Sequence, residues 1–136
     1  MGINSVGRAN ALDIAVSGLR AETARMNLIA NNIANASTSR TADGKPYRRE
    51  ELVLSTSDGL SGVNVEQVTP DLSTDFKRVY QPGHPDAGTD GYVAMPNVEL
   101  PTEMMHLVTA SRAYQANVAV LKRYGEISDA TLELLR

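Results

Sequence analysis

Hydrophobic residues recur every seven positions through the first quarter of the chain. Side chains at that spacing fall on one face of a helix, so residues 9–35 are predicted to form an amphipathic helix. Gly18 lies inside it, where glycine costs about 1 kcal/mol relative to alanine, and this predicts a close contact on its face. The predicted stripe consists of Leu12, Val16, Leu19, Met26, Ile29 and Ile33.

A second, longer helix is predicted for residues 98–135. Pro101 falls in its first turn, where a missing backbone N–H costs nothing, and Glu103 suits the positive end of the helix dipole. Gly125 is a candidate position for a kink or a break in the helix. Apolar residues again recur at helical spacing, and the stripe consists of Leu107, Tyr114, Val118 and Leu121.

The segment between the helices is rich in Pro and Gly and contains short, strand-like runs. Strands are predicted over residues 47–55, 63–68, 75–80 and 92–95, with too few apolar residues for a robust sheet on their own. The adjacent like charges of residues 48–51 are typical of an exposed edge strand.

The predicted fold is therefore mainly α with a small β region: two long terminal helices that pair as a coiled coil, and a short β-hairpin middle segment. The predicted parts are an N-terminal helix over 1–39, a β-rich segment over 40–97 and a C-terminal helix over 98–136.

The predicted helices are long for a chain of 136 residues. At 1.5 Å per residue they extend about 40 and 55 Å. A compact globule of this size has a diameter of roughly 37 Å. Because both helices project beyond such a globule, their apolar faces need cover from each other and from other chains. The pattern therefore predicts a protein that assembles with copies of itself.

Amide side chains lie beside both apolar stripes. Asn31 and Asn32 are predicted to lie in subunit contacts, where buried asparagines fix register. Asn35 is included in that contact, although a cap at the helix C-terminus is the more common role for its position. Gln115 and Asn117 are the counterparts on the second helix, and an interhelical role and a solvated face remain equally open for them.

Composition excludes several classes of protein. The net charge is -3 and aromatic residues make up 4%, which argues against nucleic-acid binding. There is no cysteine, so disulfides and cysteine-ligated zinc are excluded. His84 lies near Asp86 and Asp90 in a turn-rich segment, where a turn is far more common than a metal or acid–base site. We therefore predict no enzyme activity, no catalytic residue, no metal and no cofactor.

The N-terminus lacks an apolar signal region, and no apolar run approaches the roughly 18 residues of a membrane span. A cleaved secretory signal and insertion into a membrane are therefore not expected.

Several motifs resemble those of one known family. The run ALDIAVSGL at residues 11–19 and the run NNIANAST at residues 31–38 resemble the N-terminal signature of the bacterial flagellar axial proteins, the rod and hook family. The run YQPGHPDA at 80–87 and the run ASRAYQAN at 110–117 resemble the proximal-rod members in particular. The resemblance covers nearly the whole chain.

This resemblance implies a structural subunit of the flagellar basal-body rod, which assembles helically into the drive shaft that transmits motor torque. It implies terminal helices paired in an inner layer, a β-containing outer layer, a periplasmic location, and export by the flagellar type III apparatus without a cleaved signal. The implied partners are other copies, neighbouring rod proteins, the export apparatus, and MS-ring or rod-adaptor proteins.

The alternative is a soluble helical adaptor or secretion chaperone that binds a partner's terminal helix without polymerising. Stoichiometric heterodimers in solution would distinguish it. In the rod interpretation, the terminal helices become fully ordered only when assembly supplies their contacts, because ordering costs roughly 1–2 kcal/mol of backbone entropy per residue.

Overall fold

The computed structural model describes residues 4–56 and 62–134. Helix α1 spans Asn4–Ala34 and helix α2 spans Leu100–Glu133, which confirms two long helices at the ends of the chain. Helix α1 begins before the predicted residue 9, since no proline interrupts the preceding residues. Predicted residue 135 of the second helix lies outside the described range.

Helix α2 begins where the sequence places its start signals. Glu99 is extended, a proline occupies the first turn, and Glu103 is the acidic residue of that turn. The helix continues through Gly125, so the possible break there does not occur. At 1.5 Å per residue, α1 is about 46 Å long and α2 about 51 Å long.

Among the residues that the structure describes, four strands lie between the helices and form two separate antiparallel sheets of two strands each. β1 pairs with β2, with an irregularity between Val53 and Leu54, and β3 pairs with β4. The four predicted strands are present, but β1 begins three residues later than predicted, β2 ends two residues later, and β3 begins two residues later. The strands are β1 Glu50–Thr56, β2 Val63–Pro70, β3 Lys77–Tyr80 and β4 Tyr92–Met95.

The two helices pack against each other in antiparallel orientation. A Cβ atom built on Gly18 would lie 2.8 Å from the Asn117 Nδ2 atom, so the expected close contact at this glycine is present. Fourteen residues along α1, Asn32 contacts Glu103, which lies fourteen residues back along α2. Strands β1 and β2 also contact α1.

The buried apolar core is small and lies toward the β segment. Among the described residues, none after Ala110 is buried. Burial of small residues lets the helix backbones approach closely, but it removes little apolar area from water. The buried apolar side chains are Ala15, Ala21, Leu28, Ile29, Val93, Val98 and Ala110.

Candidate interaction site

The residues predicted for subunit contacts occupy three kinds of environment. Ile29 and Asn32 are buried within the chain, whereas Asn31 and Gln115 are exposed. The remainder are half-buried in the single chain, and their role between subunits stays a prediction. These half-buried residues are Leu12, Val16, Leu19, Met26, Ile33, Asn35, Leu107, Tyr114, Asn117, Val118 and Leu121.

Some of these half-buried residues line an open groove between the helices. Val16 and Leu19 form one side of the groove, and Tyr114 contributes from α2. Asn117 faces Gly18 across the helix pair. Asn35 donates from its side chain to the Asn31 backbone carbonyl at 2.9 Å, a contact local to the end of α1.

Helix α2 carries a second apolar face that the sequence analysis missed. Its side chains are 50–61% exposed and lie roughly opposite the face that packs on α1. The seven-residue spacing of Val120 and Ile127 is the signal that identifies this face, but it is hidden by the stronger stripe through Leu107 and Leu121. The exposed face consists of Met104, Met105, Val108, Val120 and Ile127.

Asn32 lies at the centre of a buried polar cluster and is only 1% exposed. Its Nδ2 atom donates to the Glu50 backbone carbonyl at 2.9 Å and to Glu103 Oε2 at 3.3 Å. Its Oδ1 atom accepts from the Glu50 backbone N–H at 3.0 Å and from the Tyr47 hydroxyl at 2.9 Å. The structure therefore places this amide inside one chain, where it joins α1, β1 and α2, rather than on the chain's surface.

Glu103 is as deeply buried as Asn32 and contributes a buried carboxylate to this cluster. Arg49 Nε donates to Glu103 Oε1 at 2.6 Å, and the same guanidinium pairs with Glu51. His106 Nδ1 lies 3.8 Å from Glu103 Oε1. The expectation that the charged run at 48–51 is only a solvated edge is therefore wrong for Arg49, because a buried carboxylate requires a cationic partner.

The cluster shifts two titratable groups. Burial opposes the charge of Arg49, but the hydrogen bonds and charges of Glu103 and Glu51 outweigh it and raise the pKa of the guanidinium. Burial, together with the negative charges of Glu50 and Glu103, raises the pKa of the Tyr47 hydroxyl. Both groups therefore keep the protons that they donate in the cluster. We call Asn32, Tyr47, Arg49, Glu50 and Glu103 the Asn32–Glu103 cluster.

A second buried asparagine, Asn97, holds the backbone of the residue that precedes β1. Asn97 Oδ1 accepts from the Arg49 backbone N–H at 2.8 Å, and its Nδ2 atom donates to the carbonyls of Asp71 and Thr74 at 3.3 Å. Arg48 donates to the same Asp71 carbonyl at 2.7 Å. Among the described residues, every buried side-chain N or O atom has a hydrogen-bond partner.

The histidine-containing turn has a local structural role. His84 Nδ1 accepts from the Asp86 backbone N–H at 3.1 Å, and the Asp86 carboxylate binds Ser39 at 2.8 Å and Arg40 at 3.3 Å. Within residues 4–56 and 62–134, no group of three or more His, Cys, Asp or Glu side chains is placed to hold a metal ion. No helix in that part of the chain is both long enough and apolar enough to span a membrane.

Two long antiparallel helices, a small β segment and an uncovered apolar helix face define a helical structural protein. The chain matches the family model "Flagella basal body rod protein" over residues 12–40. It also matches the model "Flagellar basal body rod FlgEFG protein C-terminal" over residues 89–134.

The proteins to which this chain is similar along most of its length are flagellar basal-body rod proteins. The flagellar basal-body rod protein FlgC of Yersinia enterocolitica is 42% identical, over 92% of this chain and 96% of its own length. The FlgC proteins of Salmonella typhimurium and Borreliella burgdorferi are 40% and 36% identical, over 92% and 96% of this chain and 96% and 99% of their own lengths. This chain belongs to the flagellar basal-body rod protein family. Membership confirms the predicted structural, non-enzymatic rod subunit and argues against the adaptor alternative.

Proposed function

We propose that the chain assembles helically into the proximal part of the rod and that α2 provides its main contact with neighbouring subunits. The observation that carries this proposal is the exposed apolar face formed by Met104, Met105, Val108, Val120 and Ile127. A helix with apolar side chains on two opposite sides is typical of a helix buried between neighbours. The exposed apolar side chains form two groups along this side of α2, at residues 104–108 and 120–127, and apolar groups exposed in this way are candidates for interaction sites.

The size of this face allows it to contribute substantially to association. Fully burying a side chain of this type contributes about 1.5–3 kcal/mol, and these side chains are already about half covered. Completing their burial therefore contributes roughly 1 kcal/mol each, or on the order of 5 kcal/mol for the face in each subunit. Repetition along a filament multiplies this contribution, since every subunit presents the same face.

The half-buried stripe provides a second candidate contact. Val16, Leu19 and Tyr114 line an open groove, so a neighbouring helix that enters this groove would complete their burial. The exposed amides of Asn31 and Gln115 are available for hydrogen bonds to that neighbour. We propose that the helices pair as a coiled coil, with residues 1–39 and 98–136 in an inner layer and residues 40–97 in an outer one.

The location and partners follow from the resemblance to rod proteins. We propose a periplasmic position in the basal body, reached through the flagellar export apparatus without a cleaved signal. The partners are other copies, neighbouring rod proteins and the MS-ring or rod-adaptor proteins at the base. Many parallel helix contacts would resist twisting and transmit torque.

Replacement of a valine by glutamate tests the proposed contact. Val120→Glu places a charge on the open face of α2, and we expect loss of incorporation into purified basal bodies and loss of swimming. Val68→Glu is the matched control, because Val68 on β2 is 48% exposed, close to the 50% of Val120. Both variants should keep the wild-type circular dichroism spectrum. Normal incorporation of the Val120 variant would contradict the proposed contact.

A further inference from the structure

The last turns of α2 carry an apolar stripe whose exposure increases toward the end of the helix. Val120 is 50% exposed, Ile127 58% and Leu134 88%. The three residues recur every seven positions, so they share one side of the helix. Single exposed apolar residues are common on protein surfaces, whereas a row of them on one side of a helix indicates a partner.

The antiparallel pairing of the helices accounts for the increase in exposure. Gly18 faces Asn117 and Asn32 contacts Glu103, so the numbers of opposed residues sum to 135. Asn4, the first residue of α1, is therefore opposite residue 131. Within the described residues, the end of α2 thus extends beyond α1.

An acidic stripe lies beside the apolar one. Glu126, Asp129 and Glu133 are exposed and have the spacing i, i+3 and i+7, so they also share one side of the helix. The last turn of the described helix contains no basic residue. Carboxylates are unfavourable at this end of a helix, because the dipole is negative there. A cation from another chain would therefore stabilise the end of α2.

The open groove between the helices has the complementary character. Val16, Leu19 and Tyr114 contribute apolar surface to it, and its volume is about 390 Å³. Among the described residues that line the groove, Arg20 is the only charged one, and it is exposed. The groove thus combines apolar surface with a cation, as the end of α2 combines apolar surface with carboxylates.

We propose that the end of α2 in one copy, residues 120–134, packs against the open groove of the next copy in the rod. Ile127 enters the groove, and Asp129 lies beside Arg20 of the neighbour. The proposal rests on the proposed assembly through α2 and names the surface that α2 meets. Since stripe and groove are different surfaces of the chain, the contact is head-to-tail and extends into a helical filament instead of closing on two subunits. The end of α2 gains its cover only from a neighbour, in agreement with ordering on assembly.

A pair of introduced cysteines tests the contact in assembled rods, because the chain has no cysteine of its own. Ala24 lines the groove, and Ala130 is exposed between the two stripes of α2. Oxidised, purified basal bodies that carry Ala24→Cys and Ala130→Cys should give disulfide-linked dimers and longer chains of the subunit on a non-reducing gel.

The same two cysteines cannot form this bond within one chain. In the antiparallel pairing Ala24 is opposite residue 111, which is about 28 Å from residue 130 along the helix axis. A disulfide requires Cα atoms within about 7 Å of each other. Every linked product therefore reports a contact between copies.

Ser128→Cys provides the matched control for Ala130→Cys. Ser128 is also exposed and only two residues away, but it lies on the opposite side of the helix. Combined with Ala24→Cys, it should give no linked product, and neither should either single variant, Ala24→Cys or Ala130→Cys. Basal bodies in which Ala24→Cys links to Ser128→Cys as readily as to Ala130→Cys, or to neither, would overturn the proposal.

An exchange of charges tests the same contact if the cysteine variants do not assemble. Arg20→Glu should lower incorporation into basal bodies about fivefold, because attraction to the acidic stripe becomes repulsion. Asp129→Arg in the same chain should restore incorporation, but it should not rescue Val120→Glu. An exchange that restores nothing would refute this pairing even where Val120→Glu still blocks assembly. Normal incorporation of Val120→Glu would instead contradict the proposed contact through α2 itself.

Discussion

Loss of the charge on Glu103 should destabilise the subunit more than loss of any exposed carboxylate. Glu103→Gln keeps the size of the side chain but removes the ion pair with Arg49 at the centre of the Asn32–Glu103 cluster. Breaking a buried ion pair costs about 3–5 kcal/mol. The guanidinium is 19% exposed and retains Glu51, so the expected loss is lower, about 2–3 kcal/mol.

Thermal and urea unfolding followed by circular dichroism measure this loss. For a chain of this length, 2–3 kcal/mol corresponds to a decrease of roughly 10 °C in Tm. Glu99→Gln is the control: Glu99 is 66% exposed and pairs with Lys77 at 3.3 Å, and such surface pairs contribute at most about 1 kcal/mol. A double replacement of Arg49 and Glu103 by methionine should recover much of the stability, because apolar substitutes remove both charges together.

Equal losses in the free energy of unfolding for Glu103→Gln and Glu99→Gln would contradict this prediction. That result would mean that water replaces the lost partner of Arg49 at little cost. The cluster would then contribute no more than a surface ion pair.

Two further outcomes follow from the same structure. Hydrogen bonds from the Ser73 hydroxyl and the backbone N–H groups of Ser73 and Thr74 lower the pKa of Asp71 to about 2. The ionised carboxylate therefore stabilises the 71–74 turn above about pH 4, and this contribution is lost as the pH falls through about 2. An NMR titration of the Asp71 carboxyl group with a midpoint near pH 4 would contradict this prediction. In the isolated subunit, amide hydrogens of residues 111–134 should exchange faster than those of residues 100–110, because no described residue after Ala110 is buried. Circular dichroism should also show fewer helical residues than the 31 of α1 and the 34 of α2 together. A fully helical monomer, independent of concentration, would refute assembly-coupled ordering.

Periodicity predicted the helices because it depends only on neighbours along the chain. It cannot state which surface covers a given stripe. Leu107 and Leu121 recur at the spacing expected for a contact face, and the structure shows them half-buried within the single chain. The open face through Val120 and Ile127 has the same spacing but fewer large side chains, so it emerges only when the packing of α1 on α2 is known.

The polar cluster was beyond sequence reasoning for a different reason. Asn32 contacts Glu103 at a sequence separation of 71 residues, and nothing in the sequence near either residue identifies the other as its partner. Arg49 lies in a charged run that has the pattern of a solvated strand edge, yet its guanidinium pairs with the buried carboxylate of Glu103. Long-range pairing of polar groups leaves no periodic signal, whereas apolar burial does.

Within the single chain, the contact of Asn32 with Glu103 bears on the register of α1 against α2, and a register role for the asparagines between subunits stays a prediction. The residue numbers of the opposed pairs Gly18–Asn117 and Asn32–Glu103 both sum to 135, so the helices run antiparallel without a shift between these points. Stripes of small and aliphatic residues repeat every seven positions and would tolerate a slip by one repeat. Such a slip would take Glu103 away from Asn32 and Arg49 and leave its buried carboxylate unsatisfied, at a cost of about 1–3 kcal/mol or more. The cluster therefore selects one register for two helices whose apolar stripes alone permit several, and it fixes which face of α2 remains open to a neighbour.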